Sequence, residues 1–171
     1  MTDVSFRRRG SYVAQEILPD PRTLVLMGQD LMARTLSCFA SQGVVPPDRH
    51  LVYMAPVPAD CEQVVVLFSG WEPMPPWDGL THCDNYRWVA DFSIAVTRCT
   101  PAIIGKGKTA PTTDQMFKAA EIASADAEVL ICVISSLDEI GPTVQILTPA
   151  PQGGMQTVEL TVQVPAVGGL E

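Results

Sequence analysis

Only three lysines and two histidines occur in 171 residues, and aromatic side chains make up 6%. No apolar run reaches the roughly 18 residues of a membrane span, and the N-terminus lacks the hydrophobic core of a secretion signal. Both absences point to a protein made in the cytoplasm, with no membrane partner. Basic residues are outnumbered, giving a formal net charge of −8. Such a balance disfavours a free-standing nucleic-acid binder, which needs a positive surface to neutralise phosphates. Metal sites with repeated cysteine or histidine spacing are missing as well: His50, Cys61, His82, Cys83 and Asp84 form no CxxC or HxxxH pair. The five cysteines, Cys38, Cys61, Cys83, Cys99 and Cys132, are odd in number, far apart and mostly set in apolar runs. They read as reduced packing residues.

What is present is ordered by proline and glycine. Residues 1–19 have little periodicity and carry Arg7, Arg8 and Arg9 in a row, the pattern of an N-terminal arm, either solvated or docked on a partner. Residues 20–171 read as a single domain. Asp20-Pro21 is an N-cap followed by proline at the first helical position, and Leu24, Gly28, Leu31, Thr35 and Phe39 make a helical stripe. The spacing predicts a helix over Pro21 to Gln42, closed near Gly43. His50 to Ala55 and Glu62 to Trp71 predict strands, the second leading into a proline-rich loop that contains Trp77.

The clearest strand is Tyr86 to Cys99, where Trp88, Ala90, Phe92, Ile94 and Val96 share one face by period two. Thr112 with Gln115 predicts a capping box, and Met116, Ala120, Ala123, Ala127, Leu130, Ile134 and Leu137 predict a helix from about Thr113 to Glu139. Val129 to Ile134 alone also fits a buried strand, but its Ala-rich and acidic flanks favour helix. The acidic residues of this helix, Asp114, Glu121, Asp126, Glu128, Asp138 and Glu139, read mostly as a solvated face. Val144-Ile146 and Val158 to Val164 alternate on either side of Pro149 to Gly154, predicting a terminal β-hairpin. The expected fold is α+β, a mainly antiparallel sheet of about five strands with two helices on its apolar face.

The segment "AIIGKGKTAPTTDQ", residues 102–115, resembles a phosphate loop and would make the chain a small nucleotide-binding enzyme. A Walker A loop needs a glycine where Ala102 stands, and Pro111 separates Lys108-Thr109 from the helix whose N-terminus should face the phosphate. Ser69-Gly70 has no GxSxG elbow. With no catalytic signature left, the chain is expected not to be an enzyme and to need no cofactor. Lys106 and Lys108 then belong to a surface loop, either plain and solvated or in contact with a partner. Trp71 and Trp77 flank the proline-rich loop, either as protein-contact anchors or folded back over it.

The strand "YRWVADFSIAVTRCTP", ending in V-x-R-C-x-P at Val96 to Pro101, precedes a loop, a long Ala-rich helix and paired strands. In element order over about Pro21 to Val164 the chain resembles the tail-terminator proteins of long-tailed (siphovirus) phages that infect actinobacteria. The resemblance implies a structural virion protein of the tail and neck, assembled in the host cytoplasm. It implies a hexameric ring that caps the tail tube, ends its polymerisation, and joins tail to head connector. A connector or tail-tube subunit is the neighbouring alternative. Implied partners are other copies of the chain, the tail-tube protein, the head-tail connector protein and, transiently, genomic dsDNA in the lumen. Arg7, Arg8, Arg9, Lys106 and Lys108 would lie at an interface or face DNA. Pairing of the two lysines with the acidic helix of a neighbouring copy is one form of that contact.

Overall fold

The computed structural model describes residues 21–55, 58, 60–74, 87–101, 110–137, 144–149 and 154–165. In chain order these form α1 (Pro21–Gln42), β1 (Arg49–Tyr53), β2 (Gln63–Met74), β3 (Arg87–Cys99), α2 (Thr113–Ser135), β4 (Val144–Leu147) and β5 (Met155–Pro165). The class is α+β, with the predicted succession of elements. Residues 1–19 and the loop 102–109 lie outside the described residues.

α1 ends because Gly43 takes φ 67°, a left-handed conformation open to glycine at little cost. Its N–H then donates to Ala40 O at 3.2 Å and that of Val44 to Phe39 O at 3.0 Å, satisfying carbonyls the helix leaves free. α2 starts at the predicted capping box, with Thr112 and Gln115 each accepting from the other's backbone N–H. It stops earlier than periodicity predicts. Ser136 caps the helix, still in the αR region, with its hydroxyl on Val133 O at 2.7 Å, and the Arg34 guanidinium of α1 donates to Ser136 O. A tertiary contact therefore sets the end of this helix.

The sheet order is β1-β2-β3-β5-β4. Three pairings are antiparallel, and β1 runs parallel to β2, Arg49 opposite Gln63. A parallel pair needs a return connection, usually a helix. Here residues 54–62 make it, tied down by an Arg49–Asp60 ion pair and by Arg49 N–H on Glu62 O at 3.2 Å. β4 lies antiparallel beside β5, from Val144 opposite Val162 to Leu147 opposite Glu159. Residues 150–153 of the predicted hairpin turn lie outside the described residues.

Both helices cover one face of the sheet. Val64 and Val66 of β2, Ala90, Phe92, Ile94 and Val96 of β3, and Val158, Leu160 and Val162 of β5 meet Leu24, Leu31 and Phe39 of α1 and Val129, Leu130 and Val133 of α2. Each large side chain so enclosed contributes on the order of 1.5–3 kcal/mol by leaving water. A Cβ on Gly28 would stand 2.7 Å from Val52 Cγ1, so α1 rests on β1 only because no side chain intervenes. In β2 a bulge at Ser69, between Phe68 opposite Phe92 and Gly70 opposite Asp91, reverses the alternation. Phe68 and Trp71, three residues apart, therefore point to the same helix-covered face and meet edge to face at 5.5 Å.

Candidate assembly surfaces

β3 continues its inward phase one step past Val96, and the next inward residue is Arg98. On α2, Asp126 lies in the buried stripe, four residues before Leu130. The two meet as a two-point pair, Arg98 Nε on Asp126 Oδ2 at 3.0 Å and Nη2 on Oδ1 at 2.9 Å. Arg98 also donates to Glu62 Oε2 at 3.2 Å and to Val45 O at 2.7 Å, and its guanidinium lies 5.9 Å from the Phe39 ring centre. Burial alone lowers the Arg98 pKa, but the hydrogen bonds and charges of Asp126, then of Glu62, outweigh it and raise the pKa above its ordinary value. The cation is thus held charged by geometry, where the Asp126 side chain is 1% exposed.

Two sequence expectations are corrected here. Asp126 is not part of a solvated acidic face: it is buried, and among the described acidic residues of α2 only Asp114, Glu121 and Glu128 are exposed. Four cysteines are not reduced packing residues either. Cys38 of α1 is bonded to Cys132 of α2, and Cys61 to Cys99 beside the Arg98 cluster, with Cα atoms 5.8 and 4.9 Å apart. Spacings of 94 and 38 residues give no hint of these pairs, because only the fold brings them within bonding range. Cys83 lies outside the described residues.

The Arg98 cluster is closed on itself and offers no reactive cavity. The two best-formed cavities among the described residues hold about 10 and about 100 Å³, far below the roughly 300–1,000 Å³ of ordinary ligand sites. No group of metal-ligating side chains occurs among the described residues, and His50 Nε2 is engaged with Pro47 O at 2.8 Å. No helix among them is long and apolar enough to cross a membrane. Of the residues singled out as interface or DNA-facing, Arg7, Arg8, Arg9, Lys106, Lys108 and Trp77 lie outside the described residues. Trp71 is half-buried, packed against the core and Phe68.

The sides of the molecule differ from its interior. β1 and β4 are the two edges of the sheet, both short and largely exposed. Over the β4 side, the flank of α2 turned away from α1 carries Met116, Ala120, Ala127 and Ile131 at helical spacing, without a charge. Over the β1 side, the flank of α1 turned away from α2 carries Val25, Gln29, Ala33, Leu36 and Ala40, with the exposed Arg22 on the same stripe at its N-terminal end. Ile131 is 53% exposed and Met116 48%, with Val25 at 40%, Tyr53 of β1 at 42% and Leu147 of β4 at 43%. The charged residues Asp114, Lys118, Glu121 and Glu128 follow the other side of α2, the side of Cys132, where α1 approaches. Sequence periodicity foreshadowed this in part: the apolar stripe of α2 is wider than the buried one, leaving Met116 and Ala120 in solvent.

No protein-family model matches the chain, and no curated protein sequence matches it at a significant level.

Proposed function

We propose that this chain is a structural subunit of a phage tail, acting as the tail terminator. It forms a ring on the last turn of the tail tube, ends tube growth and presents a surface to the head connector. The observation that carries this reading is the pair of sheet edges, β1 and β4, on opposite sides of the molecule, neither paired with a further described strand and each beside a helix flank that exposes apolar side chains. A ring subunit needs two different lateral surfaces that fit one another, because cyclic contacts repeat head to tail until they close. The small cavities agree with a role in assembly rather than in small-molecule chemistry. The V-x-R-C-x-P segment takes a scaffold role here, since Arg98 and Cys99 bind α2, residues 61–62 and the Val45 carbonyl into one unit. Disulfides suit the oxidising surroundings that a released virion meets.

Electron microscopy of the tail-tube subunit polymerised with and without this chain tests the reading. The expected result is shorter tubes with a ring of extra density at one end. Tubes of unchanged length with bare ends overturn it. Copolymerisation along the tube wall would instead make the chain a tube subunit.

A further inference from the structure

We infer that the Cys61–Cys99 bond is a redox-sensitive clasp: a small thiol opens it while Cys38–Cys132 stays closed, and the turn that holds strand β1 then loosens without unfolding the core. This concerns the fold of one copy and stands apart from the ring reading. The last backbone pair at this end of β2 and β3 is Gln63 opposite Thr97. Continuing that register by two residues sets Glu62 opposite Arg98 and Cys61 opposite Cys99, whose Cα atoms, 4.9 Å apart, are spaced as directly opposed residues. The bond thus carries the alignment past the end of the ladder. Both neighbours of Cys61 grip Arg49, the first residue of β1: Asp60 pairs with its side chain, and Glu62 O accepts its N–H at 3.2 Å. Glu62 does so from the left-handed region, at φ 53°, with its carboxylate on Arg98 and on the Cys99 N–H.

The two disulfides differ in access. Exchange requires a thiolate to reach one of the sulfurs. Cys99 is exposed and Cys61 half-buried, whereas Cys38 is buried in the core and its partner Cys132 half-buried between the helices. A low-molecular-weight thiolate therefore attacks Cys99 Sγ; the Cys61–Cys99 bond breaks, and its electron pair goes to Cys61 Sγ, which takes a proton from water. A second thiolate attacks the small thiol's sulfur in the mixed disulfide, releasing Cys99 Sγ, which is protonated in turn, and leaving the reductant as its own disulfide. Glu62 is then free to leave a backbone region that a residue with a Cβ occupies at a cost, and its hold on Arg49 goes with it. The change remains local because the opened bond lies within the loop closed by Cys38–Cys132, which still joins α1 to α2, and because Arg98 keeps its two-point pair with Asp126.

Differential alkylation of the native full-length chain tests this. Free thiols are blocked with iodoacetamide, reduced glutathione is added in graded amounts, and newly freed thiols are trapped with N-ethylmaleimide and located by mass spectrometry. Cys61 and Cys99 should be trapped at least about tenfold faster than Cys38 and Cys132. In the species opened only at Cys61–Cys99, amide hydrogen exchange of residues 49–53 should rise about tenfold or more, with exchange in α1 and α2 unchanged. Oxidised glutathione, added to untrapped material, should restore the slow exchange. A double variant, Cys61→Ser with Cys99→Ser, should show the fast β1 exchange with or without thiol and keep the parent's helical circular dichroism. Iodoacetamide labelling of Cys61 and Cys99 before any reductant overturns the proposal, as does opening of both bonds together or of Cys38–Cys132 first. Unchanged exchange over residues 49–53 after the bond opens overturns it too, since the bond then clasps nothing. Faster exchange throughout the chain, or a double variant that fails to fold, overturns the claim that the change is local.

Discussion

At the end of β3 the molecule buries charge, whereas along its two lateral sides it exposes hydrocarbon. The usual distribution is the reverse, and the contrast separates what holds one copy together from what remains for a partner. Around Arg98, two carboxylates, one backbone carbonyl and one backbone N–H close the cluster. Along β4 and the Met116–Ile131 flank, exposed apolar side chains are left over, beside a strand edge that no other described strand pairs. Damage to the first region should act on folding, and damage to the second on association.

The largest effect is expected at Asp126. Asp126→Ala leaves the Arg98 guanidinium in the protein with Glu62 as its remaining carboxylate, and breaking one partner of a buried pair costs about 3–5 kcal/mol. Urea unfolding of the monomer should show this as a lower midpoint. Replacing both partners, with Arg98→Met and Asp126→Leu, should recover most of the loss, because no charge then remains to be solvated. A double variant no more stable than Asp126→Ala would mean that the Val45 and Glu62 contacts, rather than the pair itself, carry the cost.

Next in size is the seam between the helices. The Cys38–Cys132 bond closes a chain segment of 94 residues, and Cys38→Ser should cost about 2–4 kcal/mol by freeing the unfolded chain. Thermal melting with and without reductant checks it. The parent should lose stability on reduction, and the variant should respond less. Equal responses would show that this bond is not what the reductant acts on.

A smaller effect separates backbone from side chain at Glu62, whose φ of 53° is left-handed. Both Glu62→Ala and Glu62→Gly remove the acceptor for Arg98 and Cys99 N–H. Glycine occupies that backbone region without the penalty of a Cβ, about 1–2 kcal/mol. Glu62→Gly should therefore be the more stable of the two variants by about 1 kcal/mol in urea unfolding, after allowance for its freer unfolded chain. A more stable alanine variant would show that the turn relaxes once the carboxylate is gone.

The parts of this contrast were not equally visible in the sequence. α1 was legible to the residue because its limits are local, with Pro21 at the start and Gly43 at the end. The α2 start was legible through Thr112 and Gln115, but its end was not, since Arg34 reaches it from another helix. The alternation of β3 was plain, whereas the bulge at Ser69 and the parallel pairing of β1 depend on strand neighbours that no local pattern names. Arg98 and Asp126 were legible in principle, each standing in the inward phase of its own element; a charge of either sign in a buried stripe calls for an opposite one. The disulfides were not, and neither were the lateral surfaces, because strand order decides which edges stay open.

The smallest effect on folding is expected at Ile131, where the comparison is tested most directly. With 53% of its surface already in water, Ile131→Ser removes little burial within one copy. Its cost in urea unfolding of the monomer should stay within about 0.5 kcal/mol, the range of surface substitutions away from special features. In an associating chain the same residue would leave water only in the contact, so self-association should weaken by a clear margin while monomer stability is unchanged. A control on the charged side of the same helix, Glu128→Ser, should change neither quantity. If Ile131→Ser instead lowers monomer stability as Asp126→Ala does, the flank belongs to the fold of one copy and its exposed hydrocarbon is not reserved for a second.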